Sequence, residues 1–258
     1  MAKHVTMTSS DGISTITLNR PEKRNAMNQE MIQELSHALQ KVLEDNLSRV
    51  LLFKGNGEVF CAGADIEWMQ KVTASSYDKN YDDAQLLADF LYQLYLFPKP
   101  TIVLAQGAVL GGGLGLLCAC DIAIAADNTS FGFPESRMGL TPSCISPYVL
   151  AAIGARAARY YFMTGERFNA TEALRIGLIH RIIKANVLVD SGLTLVKELL
   201  LNGPKALHAV KDLIQFIARE KITEALVQKT AEHFANIRSS PEAQEGLQAF
   251  LEKRKVKW

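Results

Sequence analysis

Three consecutive glycines that open an apolar helix constrain this chain more than any other feature. They are Gly111 to Gly113, within the stretch from Leu110 to Asp121. Glycines leave backbone N–H groups open to a ligand, and the positive end of the helix dipole favours a negatively charged oxygen there. Glu135 follows on a predicted turn after Phe131 to Pro134. A site for an anionic oxygen that faces a single carboxylate indicates chemistry beside a carbonyl group.

The glycine pattern differs from the two common phosphate-binding motifs. A dinucleotide fingerprint needs a third glycine at its sixth position, but after Gly111 and Gly113 that position is Leu116. A Walker loop needs Gly-Lys-Ser or Gly-Lys-Thr, which the sequence lacks. On the glycines alone, a helix packed closely against a sheet, touching no ligand, remains an alternative.

The composition predicts a globular protein without nucleic-acid or membrane partners. Of its 258 residues, 48% are hydrophobic and 21% are charged, which suits one large domain or a domain with a smaller appendage. A formal net charge of +1 gives no support for binding to nucleic acid or to a membrane surface. The segment Met1 to Asp11 is polar, and the longest apolar run, Ala108 to Cys120, is too short to span a bilayer. We therefore expect a cytoplasmic protein.

The cysteines and histidines do not predict a metal site or a catalytic thiol. Cys61, Cys118, Cys120 and Cys144 form no Cys-x-x-Cys pair and no cluster with histidine at metal-ligand spacing. The two cysteines of the apolar stretch are expected to fill core space as free thiols. None of the five histidines lies in a motif that suggests a role in catalysis. We expect no bound metal.

Strand and helix signals alternate through the first half of the chain. Val5 to Asn19 is typical of a hairpin, and Asn28 is expected to cap the helix that follows. Short apolar runs predict further strands at Val50–Lys54, Thr101–Gln106 and Ile122–Ala126. Beyond Pro147 the signals are helical, with a single strand signal at Ile179 to Ile183. The alternation predicts an α/β core followed by a helical C-terminal region.

A series of motifs in chain order resembles one known family. They are Asn19-Arg20-Pro21 with Asn25-Ala26-Met27-Asn28, Phe60-Cys61-Ala62-Gly63-Ala64-Asp65-Ile66, Lys99-Pro100, Gly107 to Gly113 with Cys120-Asp121, Phe131 to Gly139, Ala173 to Leu178, and Glu245 to Phe250. Each motif alone is weak evidence for membership of a family. Together they make the chain, from Val5 to its last residues, resemble the crotonase, or enoyl-CoA hydratase/isomerase, superfamily.

The resemblance implies a fold, an assembly and a class of substrate. The fold would be a crotonase-type α/β spiral of ββα units at residues 1–195, with a helical trimerisation region at residues 196–258. The protein would form a homotrimer or a hexamer, and the face of the C-terminal helix formed by Leu247, Phe250 and Leu251 supports an apolar contact. The substrate would be an acyl-coenzyme A thioester, so that no separate cofactor is needed.

The resemblance also assigns the reacting groups. The backbone N–H groups of Ala64 and Gly112 would hold the thioester oxygen and stabilise the enolate formed during reaction. Glu135 aligns with a glutamate that is catalytic in the hydratases, although a lone glutamate is more often a surface residue. A partly apolar pocket would raise its pKa towards neutrality, where one group can both take and return a proton.

Coenzyme A binding is assigned in the same way. Lys23 and Arg24, beside Ala26, lie where the family binds the nucleotide end, and two cations suit its phosphates. A solvated turn is an equally reasonable interpretation of this pair. The backbone of the glycine helix and of the preceding motif would line the pantetheine and adenine, with contacts from Ala62, Ala64, Asp65, Ile66, Gly111 and Gly112. From a neighbouring subunit, Phe250 and Lys253 would reach the nucleotide site.

Two departures from the typical hydratase narrow the resemblance. A second catalytic glutamate of the family is replaced here by Gly115, and the segment Thr141 to Val149 replaces a glycine-rich loop. Both departures resemble the bacterial methylglutaconyl-CoA and isohexenylglutaconyl-CoA hydratases, which share an Ile-Ser-Pro-Tyr-Val segment. Substrates of that group carry a second carboxylate, so a basic side chain is expected at the acyl end, but the sequence does not identify it.

Three functions remain open at the level of sequence. In the first, Glu135 activates water for addition to a 2-enoyl-CoA. In the second, an isomerase, the single carboxylate moves a proton between C4 and C2. The third is a non-catalytic acyl-CoA-binding protein. The hydratase is favoured by the segment Ile145 to Val149.

Overall fold

The computed structural model describes residues 4–218 and 220–258, with strands that form two sheets. The strands are β1 (Val5–Ser10), β2 (Ile13–Leu18), β3 (Val50–Gly55), β4 (Thr101–Ala105), β5 (Ala108–Leu110), β6 (Ile122–Ala126), β7 (Ser130–Gly132), β8 (Arg167–Asn169) and β9 (Arg181–Ile183). The larger sheet has the order β1-β2-β3-β4-β6-β9 and is parallel except for the β1–β2 hairpin. Asp11 and Gly12 form the hairpin turn with φ angles of 51° and 79°.

The smaller sheet has the order β5-β7-β8 and corrects the prediction of a single strand beyond Pro147. In it, β5 and β7 are parallel, whereas β7 and β8 are antiparallel. Each of these strands has three residues, so none is long enough to give an alternating pattern in the sequence. This sheet places the end of β5 and the end of β7 side by side, and Glu135 follows shortly after β7.

Ten helices surround the sheets within the described residues. They are α1 (Gln29–Glu44), α2 (Ile66–Thr73), α3 (Tyr77–Tyr95), α4 (Gly112–Ala119), α5 (Ser146–Thr164), α6 (Ala170–Arg175), α7 (Leu188–Leu200), α8 (Pro204–Ile217), α9 (Glu224–Arg238) and α10 (Pro241–Leu251). As predicted, Asn28 caps α1, since its Oδ1 accepts from the Met31 amide at 3.0 Å. Gly154, with φ 70°, interrupts α5.

The larger sheet is buried on both faces, as expected for parallel strands between helical layers. On β3, Val50 and Leu52 face a cluster that contains Leu188 and Val196 of α7. Alternate residues such as Phe53 face the main core, which α1, α3, α4 and α5 cover. The predicted boundary between residues 195 and 196 therefore falls inside α7, a helix that packs on the sheet.

The last three helices expose much of their apolar surface. In α8, α9 and α10 the only side chain classed as buried is Ala249, and α10 packs against α8 and α9. Phe234, Leu247, Phe250 and Leu251 are all more than half exposed. Within the described part of the chain, no helix combines the length and hydropathy that a membrane span requires.

Candidate active site

Two glycine-containing segments lie side by side at one end of the smaller sheet. An isolated bridge pairs Cys61 with Val109, and the Leu110 amide donates to the Cys61 carbonyl at 3.0 Å. A Cβ atom added at Gly63 would lie 3.2 Å from the Leu110 carbonyl oxygen, so a side chain there would crowd the second segment. The structure thus brings together the segments of Ala64 and Gly112, the two residues whose amides the family resemblance assigned to the thioester oxygen.

The direction of the Ala64 N–H group follows from its neighbour Met27. The Met27 amide donates to the Gly63 carbonyl, and the Asp65 amide donates to the Met27 carbonyl, both at 2.8 Å. Because the peptide bond is planar and trans, the Ala64 N–H points away from the Gly63 carbonyl and hence away from Met27. Among the described residues, no acceptor is bonded to this N–H. It is therefore free to donate to a ligand.

Gly112 supplies a second open N–H group. It is the first residue of α4, where an amide has no acceptor in its own helix. No other acceptor is bonded to it in residues 4–218 and 220–258. The preceding residue, Gly111, has φ 48°, and an added Cβ would lie 3.0 Å from Glu135 Oε1. Gly111 thus allows the carboxylate to approach the start of the helix.

Glu135 lies on a single turn of 3-10 helix, Glu135–Met138, that follows Pro134. Its side chain is partly buried, and Oε2 is buried without a hydrogen-bond partner among the described residues. Burial raises the pKa of the Glu135 carboxyl above its ordinary value, and a hydrogen bond with its own backbone opposes the rise only in part. A raised pKa makes this carboxylate a better proton acceptor than an ordinary glutamate.

The place of the second glutamate is filled by apolar side chains. A Cβ added at Gly115 would lie 3.0 Å from Ile145 Cβ and 3.1 Å from Leu91 Cδ1, and closer still to the Ile145 γ-methyl group. Ile145 belongs to the segment Ile145 to Val149, which the sequence singled out. The site therefore has one carboxylate, with an apolar wall where a second would stand.

Comparisons with known proteins identify the family. A sequence profile of the enoyl-CoA hydratase/isomerase family matches residues 8–258. The chain belongs to this family.

Its relatives include proteins named as hydratases and proteins named for both activities. The crystal structure of an enoyl-CoA hydratase from Shewanella pealeana superimposes with a TM-score of 0.96 and 41% identity, covering 99% of this chain and 96% of that chain. The short-chain-enoyl-CoA hydratase of Clostridium acetobutylicum is 30% identical over 247 residues, 95% of this chain and 93% of its own length. Enoyl-CoA isomerase/hydratase fer4 of Mycosarcoma maydis is 32% identical over 257 residues, 95% and 91% of the two chains. This member of the family is therefore an enzyme with a crotonase-type fold.

Three of the residues predicted to bind coenzyme A, Lys23, Arg24 and Ala62, lie on two neighbouring segments. Lys23 and Arg24 are exposed, and the Ala62 amide donates to the Arg24 carbonyl at 3.0 Å. Lys23 Nζ lies 2.7 Å from Glu67 Oε1 in an exposed ion pair, so this cation already has a protein partner. Ile66 is 67% exposed. Contact of these residues with coenzyme A stays a prediction.

Asp65 differs from the other predicted binding residues because its side chain is engaged within the protein. The carboxylate accepts from the Glu67 and Trp68 amides and pairs with Arg20, while its carbonyl accepts from the Met69 amide at 2.9 Å. Sequence reasoning quoted Arg20 in a motif but gave it no role.

Phe250 and Lys253 lie at the end of the chain, on or just after α10, and Phe250 is 82% exposed. In a single chain this helix packs on α8 and α9. Their predicted approach to the nucleotide site of another subunit stays a prediction.

Three of the cysteine side chains lie in the core or pack against it, as the sequence suggested for Cys118 and Cys120. Cys61 and Cys120 are buried, and burial raises the pKa of Cys61 and Cys118 to about 12. Thiols with such pKa values are poor nucleophiles at neutral pH. Among the described residues, no group of three or more metal-ligating side chains could hold a metal ion.

A polar group near Ile145 was missed by sequence reasoning. The Cys144 thiol donates to the Ala84 carbonyl at 3.7 Å, which places this loop against α3. Burial raises the pKa of the neighbouring Asp83 carboxyl, and the Trp68 indole N–H opposes the rise. That contact falls short of full hydrogen-bond geometry, so Trp68 Nε1 is buried without a partner among the described residues.

Proposed function

We propose that this enzyme hydrates a 2-enoyl-CoA thioester with Glu135 as its single acid/base group. The observation that carries the proposal is the approach of Glu135 Oε1 to Gly111, immediately before the open amide of Gly112. A thioester oxygen held by the Gly112 and Ala64 amides would place the acyl carbons beside this carboxylate. Donors aimed at an oxyanion are usually the largest single contribution to such catalysis.

In the proposed reaction, Glu135 takes a proton from water while the water oxygen forms a bond to C3. The electron pair of the C2–C3 double bond moves to form the enolate, whose oxygen the two amides stabilise. Protonated Glu135 then returns a proton to C2, which regenerates the thioester carbonyl and the free carboxylate. The unpartnered Oε2 supports this role, because no protein donor among the described residues competes for the proton that this buried oxygen would carry.

An isomerase is the second candidate, and the surroundings of Gly115 favour it. Moving a proton from C4 to C2 needs one carboxylate and no water, and Ile145 presents an apolar wall at the position of the second acid. The relatives are named for both activities, so their names do not separate the two reactions. A non-catalytic acyl-CoA-binding protein is the third possibility.

The acyl group that we propose carries no second carboxylate. The Ile-Ser-Pro-Tyr-Val resemblance supports a glutaconyl-type substrate with a second carboxylate. However, the Asp83 carboxyl lies close enough to Cys144 for its charge to raise the pKa of that thiol. A second carboxylate near Asp83 would meet like charge, which is unfavourable in a partly buried site.

A panel of thioesters tests these assignments directly. Straight-chain, branched and glutaconyl-type 2-enoyl-CoA compounds, together with a 3-enoyl-CoA, are incubated with the enzyme and followed by enone absorbance and product mass. A gain of one water supports the hydratase, and a shift of the double bond without a mass change supports the isomerase. Absence of turnover with every thioester would leave the acyl-CoA-binding protein.

The proposed assembly is a trimer or a hexamer built through the C-terminal helices. Its support is the apolar surface of α8 to α10, which a single chain leaves open to water. Coenzyme A would then be held by Lys23, Arg24 and the backbone near Ala64, with Phe250 and Lys253 contributed by a neighbouring subunit.

A further inference from the structure

Arg20 lies behind the segment that carries the Ala64 amide and makes two contacts with the same nitrogen. Its Nη1 donates to the Ala26 carbonyl at 3.1 Å and to Asp65 Oδ2 at 2.5 Å. The Arg20 and Asp65 side chains are only 12% and 7% exposed. These two contacts lie on either side of the Met27–Ala64 bridge.

The first contact leads to the Ala64 amide through two peptide groups. The Ala26 carbonyl shares a planar peptide group with the Met27 N–H, which donates to the Gly63 carbonyl at 2.8 Å. The Gly63 carbonyl in turn shares a peptide group with the Ala64 N–H. A guanidinium therefore lies at one end of a chain of hydrogen bonds whose other end is the open Ala64 N–H. Hydrogen bonds in series polarise one another, and the cation at the start adds to that effect.

The second contact fixes the residue that follows Ala64. Asp65 Oδ1 accepts from the Glu67 amide at 2.9 Å and from the Trp68 amide at 3.3 Å, which caps α2. Burial acts to raise the pKa of the Asp65 carboxyl, but hydrogen bonds from Arg20 and these amides outweigh it and hold the pKa below its ordinary value. The ionised Asp65 carboxylate thus binds Arg20 through Oδ2 and the first amides of α2 through Oδ1.

Arg20 is itself held in place by Asn25. The Arg20 amide donates to Asn25 Oδ1 at 2.8 Å, and the Asn25 amide donates to the Arg20 carbonyl at 2.9 Å. The Asn25 amide side chain also donates to the carbonyls of Asn56 and Val59. This network leaves Arg20 with a defined position relative to the strand ends.

We propose that Arg20 is a positioning residue for the oxyanion donor at Ala64, acting through the Ala26–Met27 and Gly63–Ala64 peptide groups and through Asp65. The inference rests on the proposed function, because it takes the Ala64 N–H as a donor to the thioester oxygen. Arg20 touches neither substrate nor reacting atoms. Loss of the Arg20 side chain would leave the Ala64 N–H in place, but as a weaker and less well oriented donor.

The test compares Arg20→Met with wild type in turnover and in the infrared spectrum of a bound thioester. A 2-enoyl-CoA labelled with ¹³C at the carbonyl reports the strength of the oxyanion donors directly, because stronger donors lower the carbonyl stretching frequency. In Arg20→Met we expect the shift on binding to shrink by about half or more and kcat to fall about 10- to 100-fold, with KM changing far less. Arg20→Lys, which keeps the charge, should recover part of both.

Glu67→Gln is the matched control. It breaks the exposed Lys23–Glu67 pair, which joins the same two segments without touching the hydrogen-bond chain to Ala64. Its kcat and carbonyl stretch should equal those of wild type. Should Arg20→Met fail to fold, Arg20→Gln, which retains a donor but no charge, replaces it in the comparison.

The outcomes separate this inference from the proposed function. A wild-type carbonyl shift that survives in Arg20→Met would overturn the role of Arg20 alone, as would a change confined to KM. A wild-type protein that binds the thioester without shifting its carbonyl stretch would overturn the proposed function and this inference together.

Discussion

The side chain of Ile145 occupies the space that any side chain at Gly115 would need. An added Cβ at Gly115 would overlap the Ile145 γ-methyl group and lie 3.0 Å from Ile145 Cβ, and Leu91 closes the other side. Gly115 stands where the typical hydratase has its second glutamate, and Ile145, from a distant segment of the chain, fills the space beside it. This pairing indicates a site rebuilt around one carboxylate.

Gly115→Glu should therefore destabilise the protein and should not increase activity. Overpacking a core typically costs about 1–3 kcal/mol, and an unpaired carboxylate near Glu135 adds to the penalty. Thermal unfolding and crotonyl-CoA hydration measure the two effects. In the double variant Gly115→Glu/Ile145→Ala, the smaller side chain at position 145 leaves room for the new glutamate. This variant should be more stable than Gly115→Glu, and Ile145→Ala alone is its control. Faster hydration by Gly115→Glu alone would show that an ordinary two-glutamate site merely lacks one member.

Glu135→Gln should lower turnover by at least about 10²-fold, as is typical for loss of a general acid/base. The substitution keeps the size of the side chain and removes the base. Binding of a thioester should survive, because the Ala64 and Gly112 donors are backbone groups. Steady-state kinetics and calorimetric titration with a saturated acyl-CoA separate these effects. An active Glu135→Gln enzyme would contradict the mechanism.

The pH dependence of kcat/KM should reflect the environment of Glu135. The base must be ionised to accept a proton, so activity falls as the pH drops through its pKa in the free enzyme. Because burial raises this pKa, the acidic limb should lie above the ordinary value of 4.5. A pH–rate profile in buffers of constant ionic strength measures it. A limb at or below the ordinary value would mean that another group titrates or that Glu135 is well solvated when active.

Charge reversal at Lys23 and Arg24 should weaken coenzyme A binding, and more strongly at low salt. Each lost contact between a cation and a phosphate removes a charge-assisted hydrogen bond, and salt screens what remains. We expect about a 10-fold or larger rise in the dissociation constant, measured by titration at two ionic strengths. Charge reversal at Lys41 and Lys197, which are exposed on α1 and α7, is the control. Unchanged affinity at low salt would remove both residues from the site.

Phe250→Asp should shift the assembly towards the monomer mass of 28.4 kDa. A charge on the open apolar face of α10 would disfavour its burial in a subunit contact. Light scattering coupled to gel filtration measures the mass, and Gln248→Asp on the same helix is the control. A wild-type protein that is monomeric and fully active at assay concentration would contradict the predicted trimer.

Local signals in the sequence determined much of the architecture. The β1–β2 hairpin, the Asn28 cap and the strands β3, β4 and β6 follow from residues that are neighbours in the chain, so a short window contains all the information. The family resemblance added Ala64, Gly112 and Glu135, and the structure brings the segments that carry them together.

The tertiary structure alone decided what surrounds those residues. The three-residue strands β5, β7 and β8 exist because they pair with one another, and none carries a periodic signal. Ile145 meets Gly115, and Arg20 reaches Asp65, across separations in the chain that only the packed fold closes. Caps and periodicity are properties of a few successive residues, whereas these contacts depend on how whole elements stack. The physical reason is that burial and close packing are set by residues distant in sequence, so their effects become visible only when the fold is complete.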